Sequence, residues 1–198
     1  MGDIRAAMLA VAPSAPDEAV TALIAIAPTS RALRTPARLA ALIGQCAHES
    51  GGFKRTSENL NYSAKRLCQV WPSRFINQEF ASSYARNPEK LANEVYGERM
   101  GNVNPGDGFR FRGRGFIQLT GRSNYQEFGC EDDPDKAAEP ETAWRIAIQF
   151  MDTHSRNGKT AFEWADAGDT AQVGRIINGG NHGQAERAAL TAKALAAL

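Results

Sequence analysis

Cysteine is scarce in this chain, with three residues in 198, at positions 46, 68 and 130. An odd number at wide spacings writes neither a disulfide framework nor a Cys-x-x-Cys metal or redox motif, so all three read as buried thiols. Long apolar runs are also missing, since nothing approaches the roughly 18 consecutive apolar residues of a membrane span. The run from Ala6 to Ala12 has neither the charged flank nor the length of an export signal, which sets the expectation of a protein folded in a cytoplasm. Charge of one sign is lacking too: 23 Lys+Arg face 22 Asp+Glu, a formal net charge of +1. That balance gives no global reason to expect nucleic acid or a membrane as partner. His48-Glu49 opens the zinc-peptidase pattern, but Gly52 stands where the second histidine is needed. Gly113-Arg114-Gly115 opens a dinucleotide fingerprint that fails at Gln118, and neither a Walker loop nor a Gly-x-Ser-x-Gly elbow is present. The aromatic and arginine mixture of Phe109–Phe116 is a single short stretch, too little for an RNA-binding surface. No metal and no cofactor is expected.

What is present is helical punctuation. Pro16-Asp17-Glu18 starts a helix that stops near Pro28, and Thr35-Pro36 supplies an N-cap and a proline at the first helical position, with Gly51-Gly52 as the stop. Further helices are expected from a Ser63 cap to Val70, from Pro88 to Tyr96, from Pro140 through Met151, from an Asp169 cap through Ile177, and after Gly183. Residues 101–108 read as a loop, and Phe109-Arg110-Phe111-Arg112 alternates with the strand period, which predicts a small β hairpin there. The expected architecture is mainly α, an α+β arrangement of two helical lobes around a cleft with one small β hairpin. The whole of residues 1–198 forms a single catalytic domain in this reading, its large lobe at about 1–54 and 112–198 and its small lobe at about 55–111.

One carboxylate is out of place. On the helix ending at Gly51, Leu39, Leu42, Ile43 and Cys46 form a buried stripe, and Glu49 lies on it, three residues after Cys46 and seven after Leu42. A carboxylate there is costly unless used or paired. At the negative end of the helix dipole and half out of water, such a carboxyl is disposed to keep its proton, as a general acid must. The equal alternative is a helix-end residue bridged to an arginine. Glu58 sits nine residues on, in the polar loop Ser57–Ser63, whose hydroxyls and amides suit an ionised carboxylate. One acid in an apolar wall and one in a wet loop is a pairing that separates acid from base; by itself, Glu58 is an ordinary loop residue.

Four ordered blocks then coincide with a known pattern: Ala47–Phe53, Glu58–Ser63, Gly113–Tyr125 and Ile177–Gly180. Together they resemble glycoside hydrolase family 19, and most of all its phage endolysin, lysozyme-like branch. The resemblance implies a lysozyme-like, mostly helical fold and an inverting hydrolysis of β-1,4 bonds between N-acetylated amino sugars. It implies Glu49 as general acid, Glu58 as general base and Thr120 as the hydroxyl holding the attacking water. Gln118, Tyr125, Asn178, Asn124 and Arg187 match positions lining the sugar cleft. For Gln118 and Asn178 the alternative is an amide satisfying the backbone of a turn, and for Tyr125 it is packing. Inversion needs the two carboxyls roughly 6.5–9.5 Å apart, with a water between base and sugar.

The plant-type chitinases of the family are secreted and disulfide-bonded, so three unpaired cysteines and a short middle segment favour peptidoglycan glycan strands as substrate, with chitin as runner-up and a catalytically silent wall-binding relative as the remaining alternative. The implied life of the protein is that of a monomer made in a host cytoplasm, which reaches the cell wall after holin-type release or lysis. Charge is unevenly spread: residues 51–128 hold twelve Lys+Arg against seven Asp+Glu, and residues 129–198 seven against eleven. Arg110 and Arg112, in the basic part, are expected to help steer an anionic wall polymer.

Overall fold

A computed structural model describes residues 2–198, and Met1 lies outside the described residues. Its helices in chain order are α1 (Ile4–Val11), α2 (Asp17–Ile26), α3 (Pro36–Ser50), α4 (Ala64–Val70), α5 (Gln78–Ser82), α6 (Pro88–Tyr96), α7 (Asp107–Arg110), α8 (Arg122–Glu127), α9 (Pro140–Thr153), α10 (Ala161–Asp166), α11 (Thr170–Asn178) and α12 (Gln184–Ala197). Strands β1 (Ser155–Arg156) and β2 (Lys159–Thr160) pair antiparallel. No helix among the described residues is long and apolar enough to cross a membrane. The chain divides into two compact units, the first made of Met1–Thr56, Arg114–Gln118 and Lys136–Leu198, the second of Ser57–Gly113 and Leu119–Asp135.

In the first unit, the local signals place α3. The Thr35 hydroxyl accepts from the Arg38 amide (3.2 Å), Pro36 occupies the first turn, and Gly51 ends the helix in the left-handed region at φ 60°. Leu39, Leu42, Ile43 and Cys46 are buried as the stripe predicts, but so are Ala40, Ala41, Gly44, Gln45 and Ala47, so α3 is enclosed on more than one face. Small side chains make this possible. A Cβ on Gly44 would lie 2.6 Å from the Thr191 Oγ1 and 2.7 Å from the Thr191 backbone nitrogen, so α12 approaches α3 at a distance only glycine allows. Phe53, Phe116 and the fully buried Trp144 pack ring on ring with centroids 4.5–5.7 Å apart. The Trp144 indole donates to the Ala19 carbonyl at 2.8 Å, which satisfies its one polar atom.

The second unit is built on Leu60, Leu67, Phe75, Ala81, Leu91, Ala92 and Val95. Its helices start on side-chain caps: Ser63 accepts from the Arg66 amide, Asn77 from Phe80 and Asn87 from Lys90. Residues 119–135, assigned from sequence to the large lobe, belong to this unit. The reason is an ion pair between Arg122 and the buried Asp107 (2.6 Å), with Tyr125 donating to the Arg112 carbonyl (2.7 Å).

The expected hairpin at 109–119 is a correction. Asp107–Arg110 is a helical turn, opened by Gly106 at φ 88° and held by the Asp107 carboxylate, which accepts from the Val103 and Asn104 amides at 3.1 and 2.9 Å. Phe111 is fully buried and packs against Tyr125 with centroids 5.4 Å apart, so the period-two alternation reflects one buried ring and arginines folded onto neighbouring rings rather than a pleated strand. The hairpin stands instead at Ser155–Thr160, where Asn157 (φ 51°) and Gly158 (φ 76°) form its two-residue turn.

Candidate active site

Glu49 occupies the last turn of α3, where its side chain keeps 21% of its accessible surface. Its Oε1 accepts from Nη2 of Arg187, a residue of α12 that is itself buried. The same guanidinium donates through Nη1 to the Gln45 Oε1 (2.8 Å) and through Nε to the His182 carbonyl (3.1 Å). Gln45 and Glu49 are four apart on one helix, so a single arginine spans one face of its last turn and a half. Of the two sequence readings of Glu49, the structure therefore includes the arginine bridge. Arg187, matched from sequence to the sugar cleft, is turned inward as the partner of Glu49.

Asn178 ends α11 beside this cluster. Its Nδ2 donates to the His182 carbonyl (3.0 Å) and its Oδ1 accepts from the Gly180 amide (2.7 Å), so both ends of the amide hold the turn that delivers His182 to Arg187. Gln118, also in the first unit, sits in the left-handed region at φ 56° and donates from Nε2 to the Gly115 carbonyl at 2.9 Å. For both residues the turn-satisfying alternative describes what these amides do here. Next to Glu49 on the chain, His48 lies 3.2 Å from the Glu186 carboxylate.

Glu58 belongs to the second unit. Its backbone nitrogen donates to the Gly113 carbonyl (2.8 Å) while the Gly113 amide faces Oε2 at 3.3 Å. Oε1 accepts from the Tyr96 hydroxyl at 2.6 Å. The donors to this carboxylate thus come from the end of α6 and from position 113, and the surrounding Ser57–Ser63 loop, expected to solvate it, is not their source. Tyr96 is the neighbour of Glu58 that no sequence motif marks. Its only signal was its place as the last residue before Gly97 on a helix with Leu91, Ala92 and Val95 inward. Burial, and then the charge and hydrogen bond of Glu58, hold its phenol far above the ordinary tyrosine range, so the proton stays on the phenol and the carboxylate accepts.

The segment carrying Thr120 is tied to the same region. The Asn124 Nδ2 donates to the Thr120 carbonyl at 2.6 Å, which turns this asparagine toward its own backbone. Asn102, 1% exposed, joins the pieces, donating to the Tyr96 carbonyl (2.8 Å) and accepting from the Arg122 amide (2.9 Å). Tyr125 is fully buried. Its match to a sugar-lining position gives way to the packing alternative, because a ring closed off from solvent has no face to offer a ligand. Arg110 donates to the Glu131 and Asp132 carbonyls (3.2 and 3.4 Å), and Arg112 donates to the Phe109 carbonyl (3.1 Å) and lies 4.3 Å over that ring. Both have structural partners in their own unit.

The structure therefore assembles two carboxylate clusters, Glu49 with Arg187, Gln45 and the Asn178 turn, and Glu58 with Tyr96 and Gly113. One carboxylate meets a cation; the other meets neutral donors. Cys46 and Cys68 are free thiols, Cys46 and Cys130 are buried, and burial with the nearby Glu49 charge raises the Cys46 thiol well above its ordinary value.

No family model matches the chain. Among solved structures it is similar to chitinase C from Streptomyces griseus HUT6037, at 16% identity, a TM-score of 0.60, and coverage of 96% of this chain and 91% of that one. It is also similar to a bacterial family 19 chitinase, at 20% identity and a TM-score of 0.55 over 96% and 93% of the two chains. At such identities the likeness is one of fold, a mainly helical chitinase-like architecture. A glycosyl hydrolase family 19 domain-containing protein of Haemophilus influenzae (strain ATCC 51907 / DSM 11121 / KW20 / Rd) is 39% identical over 158 residues, 76% of this chain and 75% of that protein. With that identity across most of both sequences, the chain belongs to glycosyl hydrolase family 19.

Proposed function

We propose that this family 19 chain is a peptidoglycan-degrading endolysin that hydrolyses β-1,4 bonds between N-acetylated amino sugars with inversion at the anomeric carbon. Glu49 is the general acid and protonates the leaving glycosidic oxygen. Glu58 is the general base and takes a proton from the attacking water, which Thr120 helps to hold. The observation that carries this reading is how the second carboxylate is held: Glu58 accepts from the neutral Tyr96 hydroxyl and Gly113 amide, which orient a base without pairing its charge to a cation, whereas Glu49 is joined to the Arg187 guanidinium. Peptidoglycan is preferred because free thiols at Cys46 and Cys68 fit a protein folded in a reducing compartment, from which holin-type release or lysis would deliver it to the wall. Chitin is the second reading, favoured by the chitinases among the similar structures.

The test is digestion of purified peptidoglycan and of N-acetylglucosamine oligomers side by side, following new reducing ends and the anomer first formed. The expected result is new reducing ends from peptidoglycan, α-anomeric at first, abolished in Glu49→Gln and cut by about 10²-fold or more in Glu58→Gln. Cleavage of the oligomers alone moves the substrate to chitin. Free amines without reducing ends, or wild-type rates in either variant, overturn the reading.

A further inference from the structure

We infer that Tyr96 is a positioning residue for the reaction, a neutral phenol that fixes the carboxylate of Glu58 in the orientation in which it accepts a proton from water. The inference rests on the proposed role of Glu58 and adds a residue to it.

A carboxylate on a two-bond stem has several rotamers, and each misdirected one removes the base from the reaction. Here the rotamer is held at both oxygens. Oε1 accepts from the Tyr96 hydroxyl at 2.6 Å, a short distance of the kind found for hydroxyl donors to charged acceptors, and the Gly113 amide faces Oε2 at 3.3 Å. The backbone bond from Glu58 to the Gly113 carbonyl at 2.8 Å fixes the stem itself.

The donor is in turn held. Leu91, Ala92 and Val95 bury one face of α6, and its last residue, Tyr96, has its carbonyl bound by the buried Asn102, whose Oδ1 accepts from the Arg122 amide. Arg122 is locked by Asp107. The phenol is thus carried on a rigid support reaching to the segment that bears Thr120.

A phenol also suits this place chemically. A lysine or arginine here would hold the carboxylate equally well, but would weaken it as a base through a full positive charge. A neutral donor orients at less cost in basicity. Each carboxylate oxygen carries two lone pairs, so the Tyr96 hydroxyl at Oε1 and the Gly113 amide at Oε2 leave acceptor capacity for water.

The experiment is Tyr96→Phe in the full chain, assayed on whichever of soluble peptidoglycan fragments and N-acetylglucosamine hexamer the wild type cleaves, with Glu58→Gln measured alongside. The expected result is kcat roughly tenfold to a hundredfold lower with KM within about twofold, in a protein whose circular dichroism and melting remain cooperative. That split is one which a purely structural role would not produce, since partial unfolding lowers the active fraction and the melting temperature together. An unchanged kcat in a folded Tyr96→Phe protein, beside an inactive Glu58→Gln, overturns the inference and leaves the base assignment standing. An active Glu58→Gln overturns the assignment itself. If the phenylalanine variant does not fold, 4-fluorophenylalanine at position 96 keeps the ring and fills most of the space of the hydroxyl while removing the donor. A lowered kcat with KM unchanged then supports the inference, and an unchanged kcat overturns it.

Discussion

Replacing Gly44 by alanine sets two effects of known size against each other. Glycine in a helix interior costs about 1 kcal/mol relative to alanine, so on propensity alone Gly44→Ala should stabilise α3. The structure opposes this. The added Cβ would stand 2.6 Å from the Thr191 Oγ1, 2.7 Å from its backbone nitrogen and 2.8 Å from its Cα. Two of these are backbone atoms of α12, so relief requires moving one helix against the other rather than turning a side chain. Overpacking of this kind costs about 1–3 kcal/mol, and backbone contacts belong at the upper end. The balance is a net loss of about 2 kcal/mol, which for a domain of this size lowers the melting temperature by about 4–8 °C. A second consequence concerns Glu49. It lies on α3 and Arg187 on α12, so forcing the helices apart loosens their contact, and activity at a temperature where the variant is folded should fall as well. Differential scanning calorimetry of the two proteins measures the first effect, and initial rates well below the transition measure the second. Gly174→Ala is the control: its Cβ would meet the Arg187 Cδ at 3.2 Å, a side-chain atom able to shift by a few tenths of an ångström, so stability should stay within about 1 kcal/mol of wild type. If Gly44→Ala melts at or above the wild-type temperature, the close approach of α3 and α12 yields freely and the steric reasoning is refuted.

Arg187→Met removes a buried guanidinium while keeping most of its volume, and leaves Glu49 and Gln45 without its donors; a loss of about 3–5 kcal/mol is expected in chemical denaturation. Adding Glu49→Gln to that variant should recover part of the loss, because no charge is then left unpaired, and a strictly additive pair would refute the coupling. Asp107→Ala strands the Val103 and Asn104 amides and takes from Arg122 one of its two carboxylate partners, Glu131 being the other, and should cost at least about 2 kcal/mol. Hydrogen bonding from Arg122, against the opposing effect of burial, holds the Asp107 carboxyl below the usual carboxylate range. Its contribution is therefore complete above that range and is lost as the pH falls through the lowered value, so the wild-type advantage over Asp107→Ala should shrink in acid and persist at neutral pH.

The helix starts were legible because capping is local. Thr35, Ser63 and Asp169 each act on the amide three positions ahead, so the chemistry that starts the helix lies within a few letters of sequence. The observed hairpin also has a local signal, Asn157-Gly158, whose paired left-handed conformations suit a two-residue turn. The alternation at 109–112 misled because period two says only that side chains take turns, whereas whether they line a pleat or clothe a helical turn depends on Asp107, Gly106 and the burial of Phe111.

The sequence by itself determined the family, the order of its four blocks and the helix carrying Glu49, since these need only identity and spacing. Tertiary structure decided what each candidate residue touches. Glu49 meets an arginine 138 positions away, and Glu58 a tyrosine 38 positions away. Tyr125 goes to the interior, and the amides of Asn178 and Gln118 turn to their own backbones. The physical reason is that a hydrogen bond or a buried contact is set by distance in space, and distances between residues far apart in the chain are fixed only when helices such as α3 and α12 pack.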